Sequence, residues 1–209
     1  MTESTLILLV RHGETPTTGT VLPGRAPGLH LSGRGRAQAE DVAERLTGLA
    51  LDAVYSSPLE RARETAEPTA LRSGQEVREE AGLLECDFGD WTGSALTALA
   101  GRPEWQTVQH HPSAFRFPNG EGFAGMQARM VGTLEALRAA HPGRVVVCFS
   151  HADPIKAAVA HALGTHLDLF QRLVISPASV SAISYADGMA PAVLTVNSTS
   201  EPLSGLRAQ

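Results

Sequence analysis

The stretch LVRHGET, residues 9–15, closes an apolar run, Leu6 to Val10, with an arginine and a histidine side by side. A short all-apolar run that ends in charge suits a strand buried on both faces of a parallel sheet. Val145 to Phe149, VVVCF, has the same character, and SHADP follows it at once. In open sheets of this kind ligands bind beyond the carboxyl ends of the strands. Arg11 and His12 are therefore expected at such an end, and Ser150 and His151 at another.

The segments between these two runs supply helices. Residues 33–50 carry Ala39, Val42, Ala43, Leu46 and Leu49 on one stripe, with Ser32 placed to cap the N-terminus. Residues 52–56 form another short strand. Ser57 followed by Pro58 reads as a cap and a first-turn proline, opening a helix to about Leu71 that holds Arg61 one turn in. In residues 123–140, Phe123, Met126, Met130, Leu134 and Leu137 make a stripe expected in the core rather than around a cofactor. A helix from Pro154 to Leu163 is predicted with Asp153 as its cap, then strands over Val180 to Tyr185 and Val193 to Val196. Ser198 to Gln209 reads as a loose tail. Alternating strands and helices predict an α/β fold, a mostly parallel sheet with helices on both faces. No stretch offers a place to divide the chain, so residues 1–209 are read as one domain.

Composition narrows the chemistry. Hydrophobic residues at 43% and charged residues at 19% suit a folded globular chain rather than a disordered one. The N-terminal apolar run is far shorter than the roughly 20 residues that span a bilayer and lacks the marks of a secretion signal, so a cytoplasmic, membrane-free protein is expected. Cys86 and Cys148 have no metal or disulfide spacing and read as buried thiols. A net charge of -5 argues against nucleic acid as a partner, so any anion site must be a local concentration of positive charge.

Arg11 and Arg61 offer planar forks that match phosphate oxygens bidentately, and the ligand they imply is a phosphoryl group. A neutral histidine nitrogen can attack phosphorus while surrounding cations neutralise the equatorial oxygens, a route that requires neither metal nor cofactor. The leaving alkoxide then needs a proton, and water later needs a base. One carboxyl with a raised pKa serves both steps. Glu14, Glu85 and Asp153 are the candidates. Asp153 also reads as a helix cap, Glu14 as an arginine partner, and Glu85 lies in LLECDFGDWTG, a glycine- and aromatic-rich loop.

The ordered segments LVRHGET, LPGRAPGLHLSGRGRAQA, YSSPLERARETA, LLECDFGDWTG, FPNGEGFAGMQARM and VVCFSHADPIKA together resemble the histidine phosphatase superfamily, in its phosphoglycerate-mutase-like branch. The resemblance covers nearly the whole chain. It implies a three-layer α/β/α fold with a mixed six-stranded sheet and catalysis through a phosphohistidine. Carried over, His12 would be the nucleophile, Arg11, Arg61 and His151 the phosphate pocket, and Glu85 the proton donor. Gly13 would let the backbone turn closely around the nucleophile, and the Ala152 N–H would add to the pocket. Thr18, Gly24 and Gly13 are expected among the substrate-binding residues. Many relatives have asparagine at the position of Thr18, serine at that of Gly122, and glycine soon after the second histidine, where this chain has ADP.

The remaining polar residues have plainer readings. His110 and His111 are expected as exposed loop residues, and His30, His141, His161 and His166 have no ligand spacing. Arg34, Arg36 and Arg45 with Glu40, Asp41 and Glu44 read as a solvated helix face. Arg25 follows Gly24 in a loop that the family places near the pocket. Trp91 and Trp105 are expected to pack near the entrance, where either could also stack on a substrate's organic portion. The leading expectation is a metal-independent phosphomonoester hydrolase acting on a small phosphorylated metabolite. A mutase would need more cations than Arg102 and Arg116 in the segment before residue 123, and a silent phospho-ligand binding protein would not need both His12 and Glu85. An exposed helix or edge strand could support a homodimer.

Overall fold

The computed structural model describes residues 4–200. Its strands are β1 (Ser4–Arg11), β2 (Leu51–Ser56), β3 (Val77–Glu79), β4 (Val145–Ser150), β5 (Val180–Ala186) and β6 (Ala192–Ser198). They form one mixed sheet in the order β3-β2-β4-β1-β5-β6. β3, β2, β4 and β1 run parallel, while β5 and β6 are antiparallel to their neighbours. The helices are α1 (Gly33–Arg45), α2 (Glu60–Ser73), α3 (Leu96–Ala100), α4 (Glu104–His110), α5 (Phe123–Ala140) and α6 (Ala152–Ala162).

Side chains of β1 alternate between two apolar clusters, as the strand period requires. Ile7 and Leu9 pack with Met130, Leu134 and Leu137 of α5 and with Ile155, Ala158 and Val159 of α6. On the opposite face, Leu8 and Val10 pack with Val42, Leu46, Ala66 and Ala70 from the α1–α2 layer. A third cluster joins Phe88, Trp91, Leu99, Val108 and Phe117 to Phe123, Met126 and Phe170, holding the long excursion between β3 and α5 onto the body. The predicted stripe of α5 is buried throughout.

Local chemistry accounts for most boundaries, and several predicted ones move. Ser32 caps α1 by accepting a hydrogen bond from the Gly35 N–H at 3.0 Å. α1 stops at Arg45 rather than reaching residue 50, and Gly48 adopts φ 92° shortly after. Ser57 is not the cap of α2: Leu59 takes that position without a side-chain hydrogen bond, and the helix starts at Glu60. Asp153 is not the cap of α6 either. His151, in extended conformation, precedes the first turn, so Asp153 lies within it, where a carboxylate is favoured by the exposed N–H groups. β6 extends through Ser198, where the tail was expected to begin, and residues 201–209 lie outside the described ones. The three-residue β3 and the short α3 and α4 carry too few residues for a periodic signal.

Candidate active site

Parallel pairing of β1 with β4 sets Arg11 opposite Ser150, so the next residues, His12 and His151, emerge together at the carboxyl edge of the sheet. Their rings meet edge to face with centroids 5.2 Å apart. The His12 N–H donates to the Ser150 carbonyl at 3.0 Å, continuing the ladder one residue beyond the strand. His12 Nδ1 lies 2.7 Å from the Gly13 carbonyl, an acceptor, so Nδ1 carries the hydrogen and Nε2 holds the lone pair. Burial, reinforced by Arg61 and then Arg11, holds the His12 pKa well below the usual range and keeps the ring neutral. His151 is lowered in the same way, by burial first and then by Arg61, His12 and Arg11.

Arg61 is fully buried, and its Nη2 donates to the Gly24 carbonyl at 2.8 Å. Arg11 Nη1 donates to the Ile175 carbonyl at 2.6 Å. Each arginine is held by one contact and leaves other donors free. Arg61 Nε and Nη1, Arg11 Nε and His151 Nδ1 are all buried without a hydrogen-bond partner. Orphaned donors of this kind are costly in an interior unless a ligand satisfies them, and guanidinium donors select an anion.

Glu85 is the buried carboxyl of this region, with its Oε1 accepting from the Cys86 N–H at 2.9 Å. Burial and the nearby Asp153 push its pKa up to about 7, against the opposing effect of the Cys86 N–H, Arg61 and Arg11. A carboxyl poised there can carry a proton or release it near neutral pH.

The sequence matches the model of the histidine phosphatase superfamily (branch 1) over residues 7–199. The chain belongs to that superfamily. Phosphoserine phosphatase 1 of Hydrogenobacter thermophilus is 35% identical over 182 residues, covering 85% of each chain. A mycobacterial glucosyl-3-phosphoglycerate phosphatase superposes with a TM-score of 0.84 at 25% identity, over 94% of this chain and 100% of that one. A phosphoserine phosphatase mutant of Entamoeba histolytica, in complex with phosphoserine, gives a TM-score of 0.84 at 26% identity over 94% and 98% of the two chains. The expectation of a histidine phosphatase enzyme therefore holds.

The other expected site residues are distributed unevenly around this histidine phosphatase pocket. Gly13 is required by close packing, since a β carbon there would lie 2.5 Å from the Gly35 carbonyl oxygen. Gly24 supplies the carbonyl that holds Arg61. Ala152 begins α6 directly after His151, so the first-turn N–H groups lie beside that histidine. Ala152 and Arg11 also line a cavity of about 240 Å³ with Lys156, Gln171 and Ser176. The Thr18 hydroxyl is engaged within its own turn, accepting from the Thr15 N–H at 2.9 Å and pairing with the Thr15 hydroxyl at 3.0 Å. Glu14 takes its arginine-partner reading, 3.5 Å from Arg34. His110 and His111 are exposed, but His110 ends α4 rather than lying in a loop, and Trp91 is buried against Trp105, Phe115 and Phe117.

Five residues that the sequence does not single out as site residues shape the pocket. The Gly13 N–H donates to Thr65 Oγ1 at 3.0 Å, tying the loop after His12 to α2. Gly35 gives that loop room. Ser57 Oγ lies 2.8 Å from His151 Nε2, having been read as a cap. Arg129 donates to the Leu84 and Glu85 carbonyls of the loop that carries Glu85, and Glu121, paired with Arg129, accepts from the Asp87 N–H at 3.3 Å. All five act across long sequence separations, where no periodicity or spacing reports them.

Among the described residues, no helix is long and apolar enough to cross a membrane. The two cysteines are free and buried, and burial raises both thiols far above their ordinary range.

Proposed function

We propose that this histidine phosphatase hydrolyses a phosphomonoester on a small metabolite, without a metal, through a phosphohistidine on His12. The observation that carries this reading is the set of buried, unpartnered donors on Arg11, Arg61 and His151 around a neutral His12. Three equatorial phosphoryl oxygens would satisfy those donors. The fixed charge of two arginines would stabilise the transition state in the role that a divalent cation has in other phosphoryl-transfer sites.

In the first step, the His12 Nε2 lone pair forms a bond to phosphorus as the ester P–O bond breaks. The departing alkoxide takes the proton of Glu85. In the second step, the Glu85 carboxylate accepts a proton from water as its oxygen attacks phosphorus. The P–N bond breaks, inorganic phosphate leaves, and Glu85 and His12 return to their starting states. His151 holds its place through Ser57. With the Ser57 hydroxyl donating to Nε2, His151 Nδ1 carries the hydrogen that faces the phosphoryl group.

The names of the relatives, phosphoserine and glucosyl-3-phosphoglycerate phosphatases, support an alkyl phosphate of small size as substrate. Hydrolysis is favoured over mutase activity because the segment before residue 123 has only Arg102 and Arg116 as its main fixed positive charges, and each makes a contact within the protein. The Arg102 guanidinium sits over the Trp91 ring at 5.2 Å, and Arg116 Nη1 donates to the Gly120 carbonyl at 3.0 Å.

The test is phosphate release from p-nitrophenyl phosphate and a panel of metabolite phosphates in EDTA, for wild type beside His12→Ala. Turnover that persists in EDTA and vanishes in the variant is expected, with acid-labile phosphate trapped on the wild-type chain after rapid quench. Turnover that survives His12→Ala, or that EDTA removes, would overturn the proposal. Activity only as a phosphoglycerate isomerase with a bisphosphoglycerate primer would assign the mutase reading, and tight phosphate binding without turnover the binding-protein reading.

A further inference from the structure

Glu85 belongs to no strand or helix: it lies between a 3-10 turn at Ala81–Leu83 and another at Gly89–Trp91. A proton donor must lie within hydrogen-bond reach of the leaving oxygen, so something outside its own loop has to fix its position. Two arginines approach its peptide from different directions. Arg25 Nε donates to the Glu85 carbonyl at 2.8 Å, and Arg129 Nη2 reaches the same oxygen at 3.4 Å. Arg129 Nη1 also donates to the Gly82 carbonyl at 2.7 Å and the Leu84 carbonyl at 2.9 Å. One guanidinium from α5 thus holds three carbonyls of the loop.

The Glu121 carboxylate holds both arginines in turn. Its Oε2 accepts from Arg25 Nη2 at 3.0 Å and from Arg129 Nη2 at 2.9 Å, and its Oε1 from Arg129 Nε at 3.0 Å. The Glu121 N–H donates to the Asp87 carbonyl at 2.8 Å, two residues beyond Glu85. Arg25 also adjoins Gly24, whose carbonyl accepts from Arg61. The dipeptide Gly24-Arg25 therefore touches the phosphate arginine with one residue and the acid's peptide with the next.

We infer that Arg25, Glu121 and Arg129 are positioning residues that set the distance from the Glu85 carboxyl to the phosphoryl pocket and so govern leaving-group protonation. This rests on the reading of Glu85 as proton donor. Arg25 then acts through Glu85, with its Nε and Nη2 both engaged within the protein. Displacements of about 1 Å at such a group cost up to about 10²-fold in rate. The loss should fall on esters whose leaving group needs a proton. p-Nitrophenolate leaves without one.

The experiment measures kcat and KM on β-glycerophosphate and p-nitrophenyl phosphate for wild type, Glu85→Gln, Arg25→Ala, Arg25→Lys and Glu121→Gln, with Tm recorded for each. Glu85→Gln should lower kcat on β-glycerophosphate by about 10²- to 10⁴-fold and on the aryl ester far less. Arg25→Ala and Glu121→Gln should lower kcat on β-glycerophosphate by about 10- to 100-fold, with under about 3-fold change on the aryl ester and KM nearly constant. Arg25→Lys, which keeps the charge and loses the fork, should behave like the alanine variant. A loss of equal size on both esters, a loss expressed in KM, or no loss would overturn the inference. If Glu121→Gln does not fold, the Arg25 pair decides alone, since that side chain is 31% exposed and lies at the rim of the cluster. An unselective Glu85→Gln would remove the acid assignment and this inference together. A selective Glu85→Gln beside an unselective Arg25→Ala would overturn the positioning role only.

Discussion

Gly13 and Gly35 pack backbone against backbone: a β carbon on Gly13 would lie 2.5 Å from the Gly35 carbonyl oxygen, and one on Gly35 would lie 2.0 Å from that of Glu14. The loop after His12 is thus seated on the first turn of α1, and neither partner is a flexible side chain that could yield. Gly35→Ala should cost at least about 1–3 kcal/mol, the usual range for overpacking, and should lower kcat although Gly35 is remote from phosphate. Gly33→Ala in the same turn has nothing within 4 Å and should leave stability unchanged or slightly higher. Urea unfolding of the two variants checks the contrast.

Arg61 is a fully buried guanidinium with two unpartnered nitrogens. Replacing a buried charge whose donors lack hydrogen-bond partners with an apolar side chain removes a desolvation penalty. Arg61→Met should therefore raise the Tm of the ligand-free protein while lowering turnover by about 10²- to 10³-fold. Inorganic phosphate should raise the wild-type Tm and leave that of the variant unmoved. Thermal scans with and without phosphate read both effects.

Glu85 links stability to pH in a direction opposite to the usual carboxylate. Its folded pKa is raised from 4.5 to about 7, so between those values the folded chain holds a proton that the unfolded chain releases. Stability from this group is present below about pH 4.5 and lost as pH rises through about 7, a change of roughly 3 kcal/mol. Glu85→Gln should gain little over wild type at about pH 5 and most at about pH 8. In wild type, kcat/KM on alkyl esters should fall above about pH 7 as the acid deprotonates. Paired denaturation and rate profiles test this.

Ser57 orients His151 from 2.8 Å, and its own N–H is anchored to the Phe149 carbonyl at 2.9 Å. Ser57→Ala should free the imidazole to rotate and exchange tautomers, lowering kcat by about 10-fold or more. KM for an aryl ester should change less. A Ser57→Thr variant that retains the hydroxyl should keep most of the rate; equal losses in both would point to packing instead.

The sequence by itself determined the α/β plan and the residues proposed as the reacting groups. Leu6 to Val10 and Val145 to Phe149 are buried strands because an uninterrupted apolar run has no polar face to offer water, and the periodic stripe from Phe123 to Leu137 covers them for the same reason. His12 and Arg11 were legible because charge at the end of such a run must lie at the sheet's edge, and the ordered motifs carried His151, Arg61 and Glu85 with them.

Only the tertiary structure decided what holds those groups in register. Ser57 and Asp153 looked like caps because a cap is a local pattern. Ser57 instead faces His151 from an adjacent strand end, and Asp153 sits inside the first turn with its charge felt by Glu85. The Gly13–Gly35 contact, the Thr65 anchor and the Arg25–Glu121–Arg129 cluster join segments far apart in the chain. Hydrogen bonds and close packing depend on where atoms meet in space, and a linear pattern of polarity records the face a residue takes but not the partner it finds.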